Sequence, residues 1–278
     1  MSREGGYLNL GKEMRIRRIF KKGKTIIVPV DHSLYTEPPQ PLKDLTGLVR
    51  LTAQSKADAI LISPGMLRYV SDVVGDLGLI LRIGETCTRM SRHIERTRIA
   101  SGVEHAASVG ADAVAINVFV GVDNEDEHLE KLGKTAVECH KYGILLIAEM
   151  IPASMLEYHF GKTKKIPKNI DKDFVLVSRL AAELGADVVK TQYTGNFEAY
   201  KEVVDSTPLP IVIAGGPKAN TDREFLQMVD DCMKVGAKGM CIGRNVWGRK
   251  DPKNILAALN AIVHENKSVS AAEKCIMK

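Results

Sequence analysis

The chain has 278 residues, of which 45% are hydrophobic, 26% are charged and 5% are aromatic. This length is long for one β-sandwich but ordinary for one α/β barrel, which takes about 250 residues. The composition is typical of a soluble globular protein with an aliphatic core. The net charge of +5 is mild and the lysines are scattered, so nucleic acid is a weak inference, a small anionic substrate fits as well, and an ordinary solvated surface explains the charge more simply than either.

The cysteines and the apolar stretches indicate in which cellular compartment the protein works. Five cysteines, an odd number without CxxC spacing, argue against a disulfide framework and a zinc ribbon and favour a reducing cytoplasm. Residues 1–9 lack an apolar signal core, and no stretch approaches the roughly 20 apolar residues of a membrane span. We therefore expect a cytoplasmic protein without a membrane partner.

Eight short apolar runs are the candidate strands. They cover residues 25–30, 59–62, 78–83, 113–118, 144–150, 188–191, 211–214 and 239–242. Amphipathic, helix-like segments cover residues 10–20, 42–54, 98–108, 129–141, 175–184 and 223–235. Because strands and helices alternate, the pattern predicts parallel strands joined by right-handed crossovers.

A short phrase precedes each even-numbered strand: KADA at 56–59, GADA at 110–113, GADV at 185–188 and GAKG at 236–239. Four copies suggest a two-strand unit repeated around a closed barrel, although Gly-Ala also ends helices before a tight turn. An open doubly wound sheet is disfavoured because no GxGxxG follows the first strand. We expect a TIM (β/α)8 barrel over residues 1–278, a single domain with a short N-terminal helix and a C-terminal helical tail.

The run VVKTQYTG at residues 188–195 places Lys190 near the end of the sixth strand. Lysine is rarely buried unless its charge is removed or paired. Burial is expected to lower the pKa of the Lys190 amine from about 10.4, which would make it a nucleophile at neutral pH. The alternative is a strand-end lysine that reaches solvent.

Four other polar residues end strands and should meet Lys190 at the C-terminal mouth of a barrel. Asp31 and His32 end the first strand, Asn117 lies near the end of the fourth and Glu149 near the end of the fifth. Asp31 is the preferred acid–base partner for an amine nucleophile, unless it only caps a helix or loop. His32 could be a neighbour pointing to the opposite face.

Two glycine-bearing loops follow the last two strands. Gly215 and Gly216 follow the seventh, and Gly243 and Arg244 follow the eighth. Many barrels hold a phosphate at these loops through backbone N–H groups, and an arginine adds charge. Simple tight turns would have the same glycines. We expect a phosphate site here.

A basic loop and the histidines are two further features of the sequence. The basic segment 161–172 (GKTKKIPKNIDK) after the fifth strand could cover an anionic substrate as a lid, or could be a solvated or intersubunit loop. The histidines lack metal-ligand spacing and no HExxH is present, so we predict no metal and no cofactor.

Together these residues resemble the archaeal-type class I fructose-bisphosphate aldolases and their relatives, which include aminodideoxyheptulosonate synthase and the autoinducer-processing thiolase. The phrases that carry the resemblance are RIF at 18–20, VPVDH at 28–32, VVKTQYTG at 188–195, IVIAGGPKANTD at 211–222, GRNV at 243–246 and IVHEN at 262–266. The resemblance implies a TIM barrel, a Schiff base on Lys190 and acid–base catalysis by Asp31. It also implies phosphate binding by the two glycine loops and a ring-shaped homo-oligomer, often a decamer.

The chain departs from the pattern of these relatives after the fifth strand. Where they usually carry a proton-transferring tyrosine in a Met-Met-Tyr-Pro phrase, this chain has Ile151. Glu149 is a candidate replacement, with its pKa raised by burial, or it forms a buried ion pair with Lys190 or Arg82. Asn117 stands where relatives often have histidine, and Ser63-Pro64-Gly65 replaces a His-Lys-Gly phrase.

The expected function is a Schiff-base lyase that makes or breaks a carbon–carbon bond in a phosphorylated ketose such as fructose 1,6-bisphosphate. The expected catalytic residues are Lys190, Asp31 and Glu149. His32, Asn117, Gly215, Gly216, Gly243 and Arg244 are expected to bind the small phosphorylated carbonyl substrate. The alternatives are a transaldol-type synthase, thiolase-like acyl transfer, and a ring that binds a sugar phosphate without turning it over.

Overall fold

The computed structural model describes residues 9–34, 37–84, 87–160, 162–163, 165–167, 170–216 and 218–277. Eight parallel strands form a closed barrel in which each strand pairs with its neighbours in chain order and β8 pairs with β1. The strands are β1 Thr25–Pro29, β2 Ala59–Ile62, β3 Gly78–Gly84, β4 Ala113–Val120, β5 Leu145–Pro152, β6 Val188–Gln192, β7 Ile211–Ala214 and β8 Gly239–Cys241. All eight predicted strands are present, so the TIM barrel is confirmed.

Helices surround the barrel because each crossover returns the chain to the start of the next parallel strand. They are α1 Leu10–Ile19, α2 Gln40–Lys43, α3 Leu45–Ala53, α4 Val103–Ser108, α5 Glu125–Tyr142, α6 Leu156–His159, α7 Asp171–Glu183, α8 Phe197–Asp205, α9 Asp222–Lys234, α10 Arg244–Trp247, α11 Pro252–Val263 and α12 Val269–Ile276. Within the described ranges, no helix has the length and apolar character that crossing a membrane requires.

Four predicted helices differ from the observed ones by several residues, and two of these, α5 and α7, simply begin four residues earlier than predicted. The helix predicted over residues 42–54 is divided at Asp44, whose side chain caps α3 by accepting a hydrogen bond from Gly47 N at 2.9 Å. The helix predicted over residues 98–108 begins only after Gly102. Of the predicted lid, residues 161, 164, 168 and 169 lie outside the described residues.

The recurring phrase before the even-numbered strands has a common role at the N-terminal end of the barrel. In three of the four copies the aspartate accepts a hydrogen bond from the backbone of the preceding odd-numbered strand and also contacts a basic side chain. The pairs are Asp58 with Ile26 N (2.7 Å) and His264, Asp112 with Leu79 N (3.0 Å) and Arg18, and Asp187 with Leu146 N (2.8 Å) and Lys12. The phrase therefore joins neighbouring strands and ties α1 to the barrel floor.

The inward-facing side chains change character along the barrel. Near the N-terminal end they are apolar, as with Leu145 and Ile147 on β5 and Val188 on β6. The next inward residues are polar, and the strand register aligns Asn117 with Glu149 and Glu149 with Lys190. Because side chains alternate along a strand, this register brings residues that are distant in sequence to one layer at the barrel mouth.

Candidate active site

A cavity of about 100 Å³ opens at the C-terminal end of the barrel. The five strand-end residues that sequence analysis singled out all line it, namely Asp31, His32, Asn117, Glu149 and Lys190. The four loop residues expected to hold phosphate, Gly215, Gly216, Gly243 and Arg244, line the same cavity. The structure therefore brings every predicted site residue to one place, and their roles stay predictions.

Lys190 and Glu149 form a buried ion pair in the wall of this cavity. Lys190 Nζ donates to Glu149 Oε2 at 2.8 Å, and the two residues are 6% and 4% exposed. Lys190 therefore does not extend to solvent. This pairing is one of the two alternatives that sequence analysis left open for Glu149.

The pKa directions of this pair differ from the expectations. Burial lowers the pKa of Lys190, but Cys241 and Glu149 raise it more, so the net pKa lies above its ordinary value. Burial raises the pKa of Glu149, but the charges of Lys190 and Arg82 outweigh burial and hold the pKa well below its usual range. The expected lowered lysine pKa and raised glutamate pKa are both wrong, because each group supplies the other's counter-charge.

Arg82 on β3 joins the remaining polar groups of this layer. Its Nη2 donates to Glu149 Oε2 at 2.7 Å, its Nε to Asp31 Oδ2 at 2.7 Å and its Nη1 to Asn117 Oδ1 at 2.6 Å. Arg82 is 4% exposed, and its planar guanidinium fixes the directions of these three bonds. It therefore holds two carboxylates and an amide on the side of the cavity next to Lys190.

The glycine loops form another part of the cavity wall. Gly216 has a φ of +58°, and a Cβ atom there would lie 2.5 Å from Tyr158 Oη, so a larger residue would be strained and would displace the tyrosine hydroxyl. Asn245, which is buried, donates to Gly215 O at 3.0 Å and accepts from Ala219 N at 2.8 Å. The asparagine side chain therefore fixes the loop after β7 to the start of α10.

Arg244 gives these loops a positive charge. It is half-buried at the cavity, and among the residues that the structure describes it has no carboxylate partner. His32 lies on the same side, with its ring centroid 5.9 Å from that of Trp247. Burial, with a contribution from Arg244, lowers the pKa of His32 to about 4. Among the described residues, this side of the cavity therefore offers the Arg244 guanidinium, which has no carboxylate partner there, and the neutral imidazole of His32, an arrangement that suits a phosphate group.

Several cavity residues escaped sequence analysis, namely Tyr158, His159, Gln192, Cys241 and Trp247. Tyr158 and His159 lie in the four-residue helix α6, which has no distinctive pattern in sequence. Cys241 faces inward from β8, and burial raises the pKa of its thiol to about 11. The two-residue spacing of Lys190 and Gln192 along β6 was the one available signal, because it places both on one face.

Ile151, at the position where a tyrosine was expected, is fully buried in the hydrophobic core. It therefore offers no polar group to the cavity. The described residues also contain no group of three or more His, Cys, Asp or Glu side chains placed to hold a metal ion. The chemistry that this arrangement supports centres on a buried amine, two carboxylates and a site for an anion.

Comparison with known proteins places this arrangement in a family. Residues 25–249 match the family described as DeoC/LacD family aldolase. A 2-amino-3,7-dideoxy-D-threo-hept-6-ulosonate synthase of Archaeoglobus fulgidus is 36% identical over 92% of this chain and 92% of its own length. A protein of the same name from Halobacterium salinarum is 32% identical over 94% of this chain and 95% of its own length.

A solved structure of an aldolase has a similar fold over nearly its whole length. The crystal structure of an archaeal fructose 1,6-bisphosphate aldolase is 28% identical, with a TM-score of 0.81 over 91% of this chain and 99% of that chain. The family match at residues 25–249 spans all eight strands and includes Lys190. The chain therefore belongs to the DeoC/LacD aldolase family.

Proposed function

We propose that this protein is a Schiff-base aldolase that makes or breaks a carbon–carbon bond in a phosphorylated ketose. The observation that carries the proposal is the buried Lys190 amine, hydrogen-bonded to Glu149 in the cavity that also holds Arg244 and the two glycine loops. A phosphate bound at the loops would hold the ketose carbonyl beside the amine. Such positioning supplies much of the rate gain in reactions of this kind.

The resting ammonium of Lys190 must lose a proton before it can attack. Glu149 Oε2 lies 2.8 Å from Nζ and is the nearest proton acceptor, so the pair passes from charged to neutral as the amine adds to the carbonyl. The resulting carbinolamine takes back the proton held by Glu149, loses its hydroxyl as water and leaves an iminium on Lys190, with Glu149 again a carboxylate. The iminium withdraws the electron pair of the carbon–carbon bond that breaks, which gives an enamine and a free aldehyde.

Asp31 and Glu149 are the candidates for the proton transfers of the cleavage step. Both carboxylates are held by Arg82 on the Lys190 side of the cavity, so either can accept the proton of the substrate hydroxyl whose carbon becomes the aldehyde. Asn117 lines the cavity near them and is proposed to bind a hydroxyl group of the substrate, whereas His32, beside Trp247 and the glycine loops, is proposed to bind its phosphate.

Fructose 1,6-bisphosphate is the first substrate to test, since the structurally similar protein is named as an aldolase of that compound. A transaldol-type synthase is the second candidate, because two relatives of 36% and 32% identity bear a heptulosonate synthase name. Such an enzyme would transfer the Lys190-bound fragment to an aspartate-derived aldehyde. Both candidates share the same lysine intermediate and differ in the aldehyde that they accept.

The oligomeric state and compartment are further parts of this proposal. We propose a homo-oligomeric ring, with a decamer as the first assembly to look for, working in the cytoplasm. The measurement is the mass of the purified protein in solution by light scattering. A monomer at micromolar concentration would contradict the ring.

The deciding experiment is borohydride reduction in the presence of dihydroxyacetone phosphate, followed by peptide mass mapping. A stable three-carbon phosphate adduct on Lys190 is the expected result. Lys190→Met should abolish the adduct, whereas Lys134→Met, which removes an exposed lysine paired with Glu130, should leave it intact. An unmodified Lys190 would overturn the Schiff-base proposal and favour a ring that binds a sugar phosphate without turnover.

If the adduct forms, product analysis separates the two candidates. The enzyme is incubated with fructose 1,6-bisphosphate, with and without aspartate semialdehyde as acceptor. Release of free glyceraldehyde 3-phosphate and dihydroxyacetone phosphate supports the lyase. Carbon transfer to the added aldehyde, without release of free three-carbon ketose phosphate, supports the synthase.

A further inference from the structure

His159 is a polar group at the cavity that the proposed steps do not use. Phe119 and Gln192 lie two residues beyond Asn117 and Lys190 on their strands, so they face the same side but lie nearer the mouth. The His159 ring centroid lies 6.0 Å from that of Phe119, and its Nδ1 lies 3.2 Å from Gln192 Nε2. The imidazole therefore sits on the mouth side of the Glu149–Lys190 pair.

The surroundings of His159 fix the direction of its ring. Phe119 and Phe160 both contact it edge to face, at interplanar angles of 81° and 83°. The Gln192 amide donates to Nδ1, so the ring proton is on Nε2, and within the described part of the chain Nε2 has no hydrogen-bond partner. The ring is thus held as a donor with one free N–H group.

Gln192 independently indicates that a polar ligand binds beside His159. The side chain is 3% exposed and lines the cavity, and its Oε1 is buried without a hydrogen-bond partner among the described residues. A buried amide oxygen without a partner is costly. A hydroxyl group of a bound substrate would satisfy it beside the free N–H of His159.

The charge state of His159 suits a neutral donor. Burial, opposed by Glu149 and reinforced by Lys190, Arg82 and Arg244, lowers its pKa to about 4. The imidazole is therefore neutral at physiological pH. A neutral imidazole that donates a hydrogen bond can stabilise a developing negative charge on a carbonyl oxygen without giving up its proton.

The other groups of the cavity are placed for different tasks. Asp31 and Glu149 are carboxylates that accept protons, and Arg82 donates to both of them. Arg244 and His32 lie with the glycine loops, where the phosphate would bind. To these groups His159 adds a neutral N–H donor on the Lys190 side of the cavity, beside Gln192.

We propose that His159 Nε2–H binds the oxygen of the aldehyde that is released from, or joined to, the ketose fragment on Lys190. In cleavage, a carboxylate takes the proton of the substrate hydroxyl, the carbon–carbon bonding pair moves to the iminium, and the new aldehyde oxygen stays hydrogen-bonded to His159. In synthesis the same N–H polarises the incoming aldehyde. This inference rests on the proposed Schiff-base function and names the residue that recognises the second reactant.

The test separates steps that involve the aldehyde from steps that do not. Wild type, His159→Phe and His159→Asn are compared in three assays: the borohydride adduct with dihydroxyacetone phosphate, hydrogen exchange of that compound with deuterated water, and cleavage of fructose 1,6-bisphosphate. His105→Phe, which replaces an exposed histidine of α4, is the matched control. Thermal unfolding monitors folding of each variant.

His159→Phe should keep adduct formation and hydrogen exchange within about twofold of wild type, because neither involves the aldehyde oxygen. Cleavage should fall by about 100-fold, the effect of removing one such donor elsewhere. His159→Asn, which retains an N–H donor, should recover at least part of the loss, and His105→Phe should change nothing.

Two results would overturn the inference. One is an equal loss of hydrogen exchange and cleavage in His159→Phe, which would place the residue in the steps on Lys190. The other is unchanged cleavage. If wild type forms no adduct at all, the Schiff-base function itself fails, which is a different outcome from either of these. Should His159→Phe unfold, His159→Asn compared with His159→Ala gives the same contrast between a donor and none.

Discussion

Glu149 Oε2 lies 2.8 Å from Lys190 Nζ, and the same oxygen accepts a second bond from Arg82 Nη2 at 2.7 Å. This single carboxylate oxygen therefore partly neutralises the charges of two buried side chains, Lys190 and Arg82. Burying an ion pair costs much of what the attraction between its charges returns, so its position next to the cavity indicates a functional rather than a stabilising role. In the resting protein Lys190 is an ammonium group, and Glu149 lies next to it as the base that can deprotonate it.

Glu149→Gln should lower the pKa of Lys190. The substitution removes a negative charge 2.8 Å from Nζ, while the burial that lowers the lysine pKa remains. The pH dependence of borohydride trapping with dihydroxyacetone phosphate should therefore shift to lower pH than in wild type. At pH 6 the rate of trapping, expressed as a fraction of the maximum rate at high pH, should be larger in the variant than in wild type.

The same variant tests the second role of Glu149. If the carboxylate also moves the proton during cleavage, the turnover of fructose 1,6-bisphosphate should fall by about 100-fold or more although the adduct still forms. Glu157→Gln, which alters an exposed glutamate of α6, is the control. An unshifted trapping profile would show that Glu149 does not set the charge state of Lys190.

Arg82→Met should destabilise the protein strongly. It leaves Asp31 and Glu149 without the guanidinium that binds both, and removing one partner of a buried ion pair costs about 3–5 kcal/mol. Arg82→Lys keeps the charge but not the planar fork, so its loss should be smaller. The measurement is the free energy of unfolding in urea.

Arg89→Met is the matched control for Arg82→Met. Arg89 pairs with Glu37 on the surface, where both side chains are more than half exposed, and such pairs contribute about 0–1 kcal/mol. If the free energy of unfolding falls equally in the two variants, the buried hydrogen bonds of Arg82 do not stabilise the protein more than a surface ion pair does.

The fold was predictable because its signals are local. Each apolar run marks one strand, and Gly110, Gly185 and Gly236 of the recurring phrase adopt positive φ values after a helix. Lys56 occupies the corresponding position of the first phrase with a φ of +60°. The aspartates that follow could not be assigned a role from sequence, since their backbone partners lie 32 to 41 residues away.

The site was predictable only where a residue ends a strand. Lys190, Glu149 and Asn117 follow from strand periodicity, and the barrel mouth then brings them together. Their charge states did not follow, because the pKa of Lys190 depends on a carboxylate 41 residues earlier. His159 reaches the cavity through the short helix α6, whose position depends on packing against Phe119 and Phe160.

Arg244→Leu should weaken recognition of the phosphate group. The half-buried guanidinium lines the cavity and has no carboxylate partner within the described ranges. A hydrogen bond to a charged group contributes about 1.5–3 kcal/mol, so the apparent affinity for dihydroxyacetone phosphate should fall by about 10- to 100-fold. The rate of borohydride trapping against ligand concentration measures it.

The comparison with unphosphorylated dihydroxyacetone sharpens this prediction. The rate of trapping of dihydroxyacetone should be nearly equal in wild type and Arg244→Leu, because this compound has no phosphate group for Arg244 to bind. Lys250→Leu, which removes an exposed cation, should leave both ligands unaffected. A loss of the same size for both compounds would contradict a phosphate-binding role for Arg244.

Three histidines should make the folded protein sensitive to acid. Burial is the first cause that lowers the pKa values of His32, His128 and His159 to about 4, against about 6.5 in an unfolded chain. Between these values the unfolded chain binds more protons than the folded one. Stability should therefore be complete above pH 6.5 and fall as the pH drops towards 4, by about 1.4 kcal/mol per pH unit for each proton taken up.

His128 allows this linkage to be tested away from the cavity. It is 1% exposed, its Nδ1 lies 3.2 Å from Lys131 Nζ, and its ring packs against Phe119. His128→Gln retains an acceptor for the lysine but cannot titrate, so unfolding at pH 5 should take up about one proton fewer than in wild type. Urea unfolding from pH 4.5 to 7.5 gives this number, and His105→Gln, at an exposed site, should match wild type. If His128→Gln shows the wild-type pH dependence, His128 is not among the groups that titrate on unfolding.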